Sequence, residues 1–349
     1  MPTLATSQTR TGARESLSNI LIENDKSALV LFPSIRKLGK PGAIVHTFPA
    51  DRPGEVSNTG VIEGTNPSPA KSMSPDYNLL TSLPHHIRVT VGVTKLNELL
   101  TDRAGVGQGK LLAREIGKAL KAMGVALERV QGDEGDLQVQ TTALGYETRG
   151  FGKWCSNAAQ SVYPVPEKFR TPSGAVYDET VNGGQTFAAL TEDTFGDQLQ
   201  ALFDENGEDE DIDYICGSSL RRKIDSWIVH EPDVASTTTI RRVNGTEGEL
   251  NKKVTRINSQ FGMVRLHTSR WLFTPRGTAM SERTDAQKLV SKRSGLGYCQ
   301  GGIALRMIQD IMVNKLDPIN GNSAGKNVEL DAIIMTEADP QRLAKIRVA

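Results

Sequence analysis

The chain has 349 residues, of which 38% are hydrophobic and 23% are charged, values typical of a folded soluble protein of about two domains. Lys plus Arg and Asp plus Glu number 41 each, so the formal net charge is zero. No overall basic excess is therefore available to hold nucleic acid by charge alone, which disfavours a sequence-reading DNA-binding protein and leaves only a local basic face as an alternative.

Targeting and redox features favour a cytosol-like compartment. The opening segment MPTLATSQTR lacks the apolar core of a secretion signal. No stretch approaches the roughly 18 apolar residues that a membrane helix needs. Cys155, Cys216 and Cys299 lie far apart without a CxxC motif, which indicates isolated thiols and not a zinc site or a disulfide framework.

The first 95 residues read as an arm followed by a ribbon. Residues 1–40 begin with a polar stretch. The pattern then predicts a helix around ESLSNILIEN and an extended segment at SALVLFPSI. Prolines punctuate 41–94, and the flanks 43–50 and 85–93 are strand-like around a long polar tip. A two-stranded ribbon is barely stable alone. We therefore expect it to lie on another surface, which favours a partner that is a second copy of the chain.

The histidines do not predict a metal site. His85 and His86 are adjacent on a predicted strand, where neighbouring side chains point to opposite faces. His46, His230 and His267 have no carboxylate or cysteine companion at ligand spacing. We expect no bound metal.

A long helix is predicted over 108–131. Its apolar residues recur at spacings of three and four, namely Leu112, Ile116, Ala119, Met123, Leu127 and Val130. Gly132 and Asp133 end it. Gly117 and Gly124 fall on nearly the same face, which predicts a closely packed neighbour there.

The segment GVGQGK before this helix resembles a phosphate-binding loop. However, Ala104 occupies the first glycine position and Leu111 replaces the Ser or Thr that would ligate magnesium. The preceding residues read as a short helix and turn, where a buried strand is needed. A structural helix start is the favoured interpretation, and a nucleotide enzyme that uses Lys110 is the alternative.

The rest of the chain reads as a mixture of helices and strands. We predict a tight loop at 145–157 packed by Phe151 and Trp154, and a helix capped by Thr191. An acidic run at 204–213 reads as a solvated loop. Further elements are a strand at IDYICGSS, a helix at LRRKIDSWI, a hairpin at 237–257 around Asn244-Gly245, a strand at MVRLHTSRWL, and two strand-like runs joined at Asp339-Pro340.

No recognisable active site is evident in the sequence. There is no HExxH, no GxGxxG after a strand and no recognisable pair of carboxylates. The stretch GNSAG at 321–325 matches GxSxG, but it lies in a polar, turn-like segment and not at a turn from a strand to a helix. We therefore predict no catalytic, cofactor-binding or metal-binding residues, and a protein that is not an enzyme.

The order of these elements resembles the major capsid proteins of tailed bacteriophages with the Hong Kong 97-type fold. The stretches that carry the resemblance run through most of 14–349: RESLSNIL, VIEGTNPSP, ALERVQGD, RGFGKWCSN, TEDTFGDQLQALFDENG, DYICGSSLRRKI, VTRINSQFGMVRLHTSRWL and VELDAIIMTEADPQRLAKI. They are similar to one sub-family long labelled only as a domain of unknown function.

The resemblance implies an α+β fold with a fixed order of parts. These are an N-terminal arm at 1–40, an extended β-ribbon loop at 41–95, a peripheral domain at 96–185 with a spine helix at 108–131, an axial domain at 186–295, and a surface segment with strands returning to the peripheral domain at 296–349. Residues 158–185 and 276–327 match least well.

The resemblance to these capsid proteins also implies a function. The chain is expected to assemble in the cytoplasm of a host bacterium, as hexamers and pentamers, into an icosahedral shell around double-stranded DNA, and to be found in the virion. Expected partners are other copies, the packaged DNA, and scaffolding, portal and decoration proteins, but no membrane. An encapsulin-like compartment with a protein cargo is the alternative shell.

Overall fold

The computed structural model describes residues 29–52, 54, 56, 58–64, 72–94, 111–181, 185–206, 211–228, 255–278, 282–316 and 326–348. Three sequence predictions lie wholly or mainly outside these residues: the arm up to residue 28, the glycine-rich segment before Leu111, and the hairpin at 237–257.

The described residues contain both helices and strands. The helices are α1 Leu31–Ser34, α2 Leu111–Gln131, α3 Phe151–Trp154, α4 Glu192–Asn206, α5 Ser218–Ile228 and α6 Asp285–Arg293. The strands are β1 Arg36–Leu38, β2 His46–Ala50, β3 Asn78–Ser82, β4 His85–Val93, β5 Val176–Asp178, β6 Ile212–Cys216, β7 Arg256–Ser259, β8 Gly262–Thr268, β9 Gly295–Cys299, β10 Ile303–Leu316, β11 Lys326–Ala338 and β12 Leu343–Arg347. The mixed α+β class predicted from the sequence is confirmed.

The long helix α2 packs on a four-stranded sheet with the order β1-β10-β11-β4. Its predicted apolar stripe is buried at Ala119, Met123, Leu127 and Val130. The helix ends at Gln131, and the amide of Gly132 still donates to the carbonyl of Glu128 at 3.0 Å. The period of the stripe thus sets which side of the helix faces the sheet.

A six-stranded sheet with the order β5-β12-β9-β6-β8-β7 forms the second layer. Adjacent residues of β6 serve two different cores. Tyr214 packs in one core with Leu199 of α4, whereas Ile215 packs in the other core with Leu127 of α2. Because neighbouring strand residues point to opposite faces, α4 and α2 lie on opposite sides of this sheet.

The predicted pairing of the ribbon is wrong in one respect. β2 pairs with β3, with Ala50 opposite Asn78, and not with β4. β4 has the predicted bounds, but it pairs antiparallel with β11 along its whole length. A nine-residue alternating strand buries more by joining a sheet that is covered by α2 than by pairing with the five-residue β2. The extended-loop range 41–95 therefore ends in a strand of the main sheet.

The C-terminal region divides between the two sheets. β10 and β11 form a long antiparallel hairpin in the four-stranded sheet, which contains the partner strands of α2. β12 pairs instead with β5 and β9 in the six-stranded sheet. The two strands β11 and β12 thus lie in different sheets, because the chain turns at Asp339, whose carboxylate accepts from the amide of Gln341.

Several local predictions are confirmed. The hydroxyl of Thr191 accepts from the amide of Thr194 at 3.2 Å, and the hydroxyl of Thr194 accepts from the amide of Thr191 at 2.8 Å, just before α4 begins. Phe151 and Trp154 are fully buried in the short helix α3. These features depend on neighbours in sequence, which is why the sequence alone predicts them.

Candidate functional site

The segment between β2 and β3, together with the residues just before β2, carries an unusual number of exposed apolar side chains. Val56, Val61 and Ile62 are 77%, 82% and 78% exposed. We call the complete set the ribbon surface; it comprises Ile44, Val45, Val56, Val61, Ile62, Met73, Tyr77 and Leu79. A concentration of exposed apolar side chains in one segment suits a contact with another protein chain.

The base of the ribbon is fixed to the body of the protein. Phe48 lies against Trp154 with the ring centroids 6.0 Å apart, and Leu80 is buried in the same core. The hydroxyl of Ser82 donates to the carbonyl of Thr336 at 2.7 Å. The ribbon thus projects from a rigid base.

A second apolar surface lies near the end of the long hairpin. Met312, Val313 and Leu316 of β10 are large apolar side chains exposed to solvent. β1 pairs only with residues 304–306 of β10, so among the described residues the rest of this edge of β10 has no strand beside it. An open sheet edge with apolar side chains is suited to a contact with another chain.

A buried carboxylate attaches the start of the described chain to α2. Glu128 is 1% exposed, and its carboxylate accepts from the backbone amides of Val30, Leu31 and Phe32 at 2.8 to 3.0 Å. These amides begin the short helix α1, so the contact acts as a cap supplied by a distant residue. Glu128 was not predicted from the sequence, although an acidic residue directly beside the buried apolar stripe was a signal for it.

Close packing of the same segment explains one of the two helix glycines. A Cβ built on Gly124 would lie 3.0 Å from Cδ1 of Leu29, whereas one built on Gly117 meets nothing within 4 Å in the described part of the chain. The prediction of a close neighbour is therefore confirmed at Gly124. The residues before α1 lie directly across α2 at this point.

Arg276 holds together the end of α2, the following loop and residues 147–148. Its guanidinium donates to Asp133 through Nη2 at 3.0 Å, to Glu147 at 3.0 Å and to the carbonyl of Thr148 at 2.6 Å. Burial raises the pKa of Asp133 to about 6, against the opposing effect of Arg276. Only the fold brings these residues together, so they could not be identified from the sequence.

His85 adds a pH-sensitive group to this junction. Burial, reinforced by the positive charge of Arg276, lowers the pKa of His85 from 6.5 to about 4. A folded pKa below the unfolded one means that His85 contributes stability above pH 6.5, and this contribution is lost as the pH falls towards 4. Asp133 has the opposite sign, because its raised pKa makes the fold more stable as the pH falls from 6 to 3.8.

We therefore expect His85→Gln to change the pH profile of stability. Between pH 4 and pH 6.5 the unfolding free energy of the wild type should rise by about 3 kcal/mol relative to the variant. Urea unfolding of the dilute chain at several pH values measures this difference. Parallel profiles for the two proteins would show that His85 does not titrate in this way.

The other sequence candidates have local structural partners. Nε2 of His86 lies against Asp331, and Nε2 of His46 lies 3.1 Å from Glu337. Within the described residues, no group of three or more His, Cys, Asp or Glu side chains is arranged to hold a metal ion. None of the described helices is both long and apolar enough to span a bilayer.

The three cysteines are free and buried. Burial raises the pKa of the Cys155 and Cys216 thiols to about 12, so both stay protonated and unreactive at neutral pH. The described residues thus combine buried cores with exposed apolar side chains, which suits association between protein chains.

Comparison with known proteins agrees with this description. A family model described as "SU10 major capsid protein" matches residues 4–291. A search of curated proteins found no match.

Solved phage capsid structures share the fold at low sequence identity. The capsid of cyanophage P-SCSP1u has a TM-score of 0.61 at 10% identity and covers 99% of this chain and 97% of that one. The structure of Mycobacterium phage Ogopogo has a TM-score of 0.57 at 14% identity with full coverage of both chains. The mature capsid of bacteriophage PhiM1 has a TM-score of 0.55 at 11% identity, covering 99% and 97%.

The predicted Hong Kong 97-type capsid fold is thereby confirmed. The protein is a component of the icosahedral head shell of a tailed phage, and the chain belongs to the SU10 major capsid protein family.

Proposed function

We propose that copies of this capsid protein join by laying the ribbon of one copy across a neighbouring copy. The observation that carries the proposal is the ribbon surface, whose apolar side chains extend from a base fixed by Phe48 and Leu80. Burying each such side chain contributes about 1.5–3 kcal/mol. Many copies of a modest contact add to a stable closed shell.

The parts of the chain have distinct roles in this proposal. Residues 1–40 form an arm that reaches a neighbour, residues 41–95 form the extended loop, and 96–185 with the helix at 108–131 form the peripheral domain. Residues 186–295 form the axial domain, around which hexamers and pentamers close. The segment 296–349 then supplies the surface hairpin β10–β11 and the final strand β12.

The proposed content of the shell is double-stranded DNA. The zero net charge of the chain limits repulsion between copies and suits non-specific contacts with a confined genome. Assembly takes place in the cytoplasm of the host bacterium, with scaffolding, portal and decoration proteins as further partners. The chain acts as a structural subunit and catalyses no reaction.

The contents of purified particles test this proposal. We expect particles from infected cells to hold nuclease-protected double-stranded DNA. An encapsulin-like compartment would instead hold a protein cargo and no genome. Particles that contain only a protein cargo would contradict the proposal and support that alternative.

A further inference from the structure

Three arginines near the C-terminal end of α2 lie close to one another. We call Arg129, Arg270 and Arg283 the arginine cluster. Arg283 donates from Nη1 to the hydroxyl of Thr274 at 3.4 Å, and Arg270 precedes Thr274 by four residues. Burial, followed by the charges of Arg129 and Arg270, lowers the pKa of Arg283, which agrees with this placement. Arg129 donates from Nη2 to the carbonyls of Pro275 and Thr278 at 3.2 and 2.8 Å.

The charge of the arginine cluster is not compensated within the described residues. No carboxylate there forms an ion pair with Arg129, Arg270 or Arg283. The charge of Asp133 opposes the effect of burial, which lowers the pKa of Arg129. The carboxylate of Asp133 is, however, already paired with Arg276. Arg283 donates from Nη1 to the hydroxyl of Ser291 at 2.9 Å, and this neutral partner does not compensate its charge. Unpaired charges are costly, so the cluster is suited to an anionic partner.

The helix α4 presents the complementary charge. Its sequence EDTFGDQLQALFDEN has five acids and no Lys or Arg. Asp193, Asp197 and Asp204 are exposed and lie on one face at i, i+4 and i+11; we call them the α4 acidic face. They form no ion pair within the described residues. Acids in the last turn oppose the helix dipole, so the stability of α4 does not account for Asp204.

One copy cannot bring these two surfaces together. α4 packs on the side of the six-stranded sheet to which Tyr214 points, and α2 with Arg129 packs on the side to which Ile215 points. A contact between the α4 acidic face and the arginine cluster therefore requires two copies. Each copy would use a different surface, as in a head-to-tail contact.

We propose that the α4 acidic face of one copy binds the arginine cluster of the next copy. Three carboxylates then meet three guanidinium groups, a pairing that gives short charge-assisted hydrogen bonds. Head-to-tail contacts close into rings when the rotation between copies allows it. This inference rests on the proposed function, because it requires that copies of the chain assemble into one shell.

Reversing the charge of each surface, first separately and then together, tests the contact. Variant one carries Asp193→Lys, Asp197→Lys and Asp204→Lys, and variant two carries Arg270→Glu and Arg283→Glu. We expect each variant alone to form at least about tenfold fewer shells than the wild type, since each weak contact is repeated in every ring. When one chain carries both sets of substitutions, every head-to-tail contact again pairs opposite charges in hexamers and in pentamers, and the yield should return to within about twofold of the wild type.

Arg222→Glu is the matched control, because Arg222 is exposed on α5, on the same side of the sheet as α4. It should assemble like the wild type. Circular dichroism checks that each variant is folded, and Arg270→Glu alone replaces variant two if Arg283→Glu disturbs the fold, since Arg270 is exposed.

Normal shell yield from either folded variant alone would overturn the inference. So would a folded chain that carries both sets of substitutions and does not recover. If variant two forms complete shells that retain less DNA, the arginines contact the packaged DNA and not another copy. That result would also overturn the inference. Failure of the wild-type chain to form shells would instead contradict the proposed function.

Discussion

Replacement of residues 51–77 by Asn-Gly should leave a folded chain that forms no shells. Ala50 and Asn78 are directly paired across β2 and β3, so a two-residue turn closes the hairpin in register. The replacement removes most of the ribbon surface but none of the buried base. Electron microscopy and sedimentation of the expressed variant measure the loss of shells.

The stability of this variant should change little. The replacement removes the exposed ion pairs of Arg52 with Glu205 and of Lys168 with Asp76, and such pairs contribute about 0–1 kcal/mol each. As a control, Val61→Ser with Ile62→Ser keeps the length of the loop and should reduce shell yield without abolishing folding. Normal shells from the Asn-Gly variant would show that assembly does not require the ribbon.

Glu128→Ala should destabilise the chain by about 3 kcal/mol. The substitution leaves the buried amides of Val30, Leu31 and Phe32 without the acceptor that they share, and lost hydrogen bonds to a charged group cost about 1.5–3 kcal/mol. Urea unfolding of the variant and the wild type at low protein concentration gives the difference.

Limited proteolysis separates a local effect of this change from a global one. The segment around Val30 should be cut faster in Glu128→Ala, whereas the core of the six-stranded sheet should stay protected. Glu115→Ala is a suitable control, because Glu115 lies on the same helix and pairs only with nearby Lys118 among the described contacts. Equal cleavage in wild type and Glu128→Ala would show that Glu128 does not hold this segment.

The features that depend on local periodicity could be predicted from the sequence. The apolar stripe of α2 placed the buried face correctly because a helix repeats every 3.6 residues. The alternation in HHIRVTVGV gave both bounds of β4, and Thr191 marked the start of α4. Each of these signals lies within a few residues of the feature that it predicts.

Features that depend on distant residues were not predictable in the same way. The partner of β4 is β11, more than 230 residues later, and nothing in the sequence of β4 distinguishes β11 from β2. The contacts of Glu128 with Val30 and of Arg276 with Asp133 also join remote segments. The exposed state of Val61 and Ile62 becomes visible only when the body of the protein is seen not to cover them.

Cryo-electron microscopy of the assembled shell tests the central claim most directly. We predict that Val56, Val61, Ile62 and Met73 of each copy are buried against the surface of a neighbouring copy. A map in which these side chains pack on their own chain, or stay exposed to solvent in the closed shell, would contradict the account.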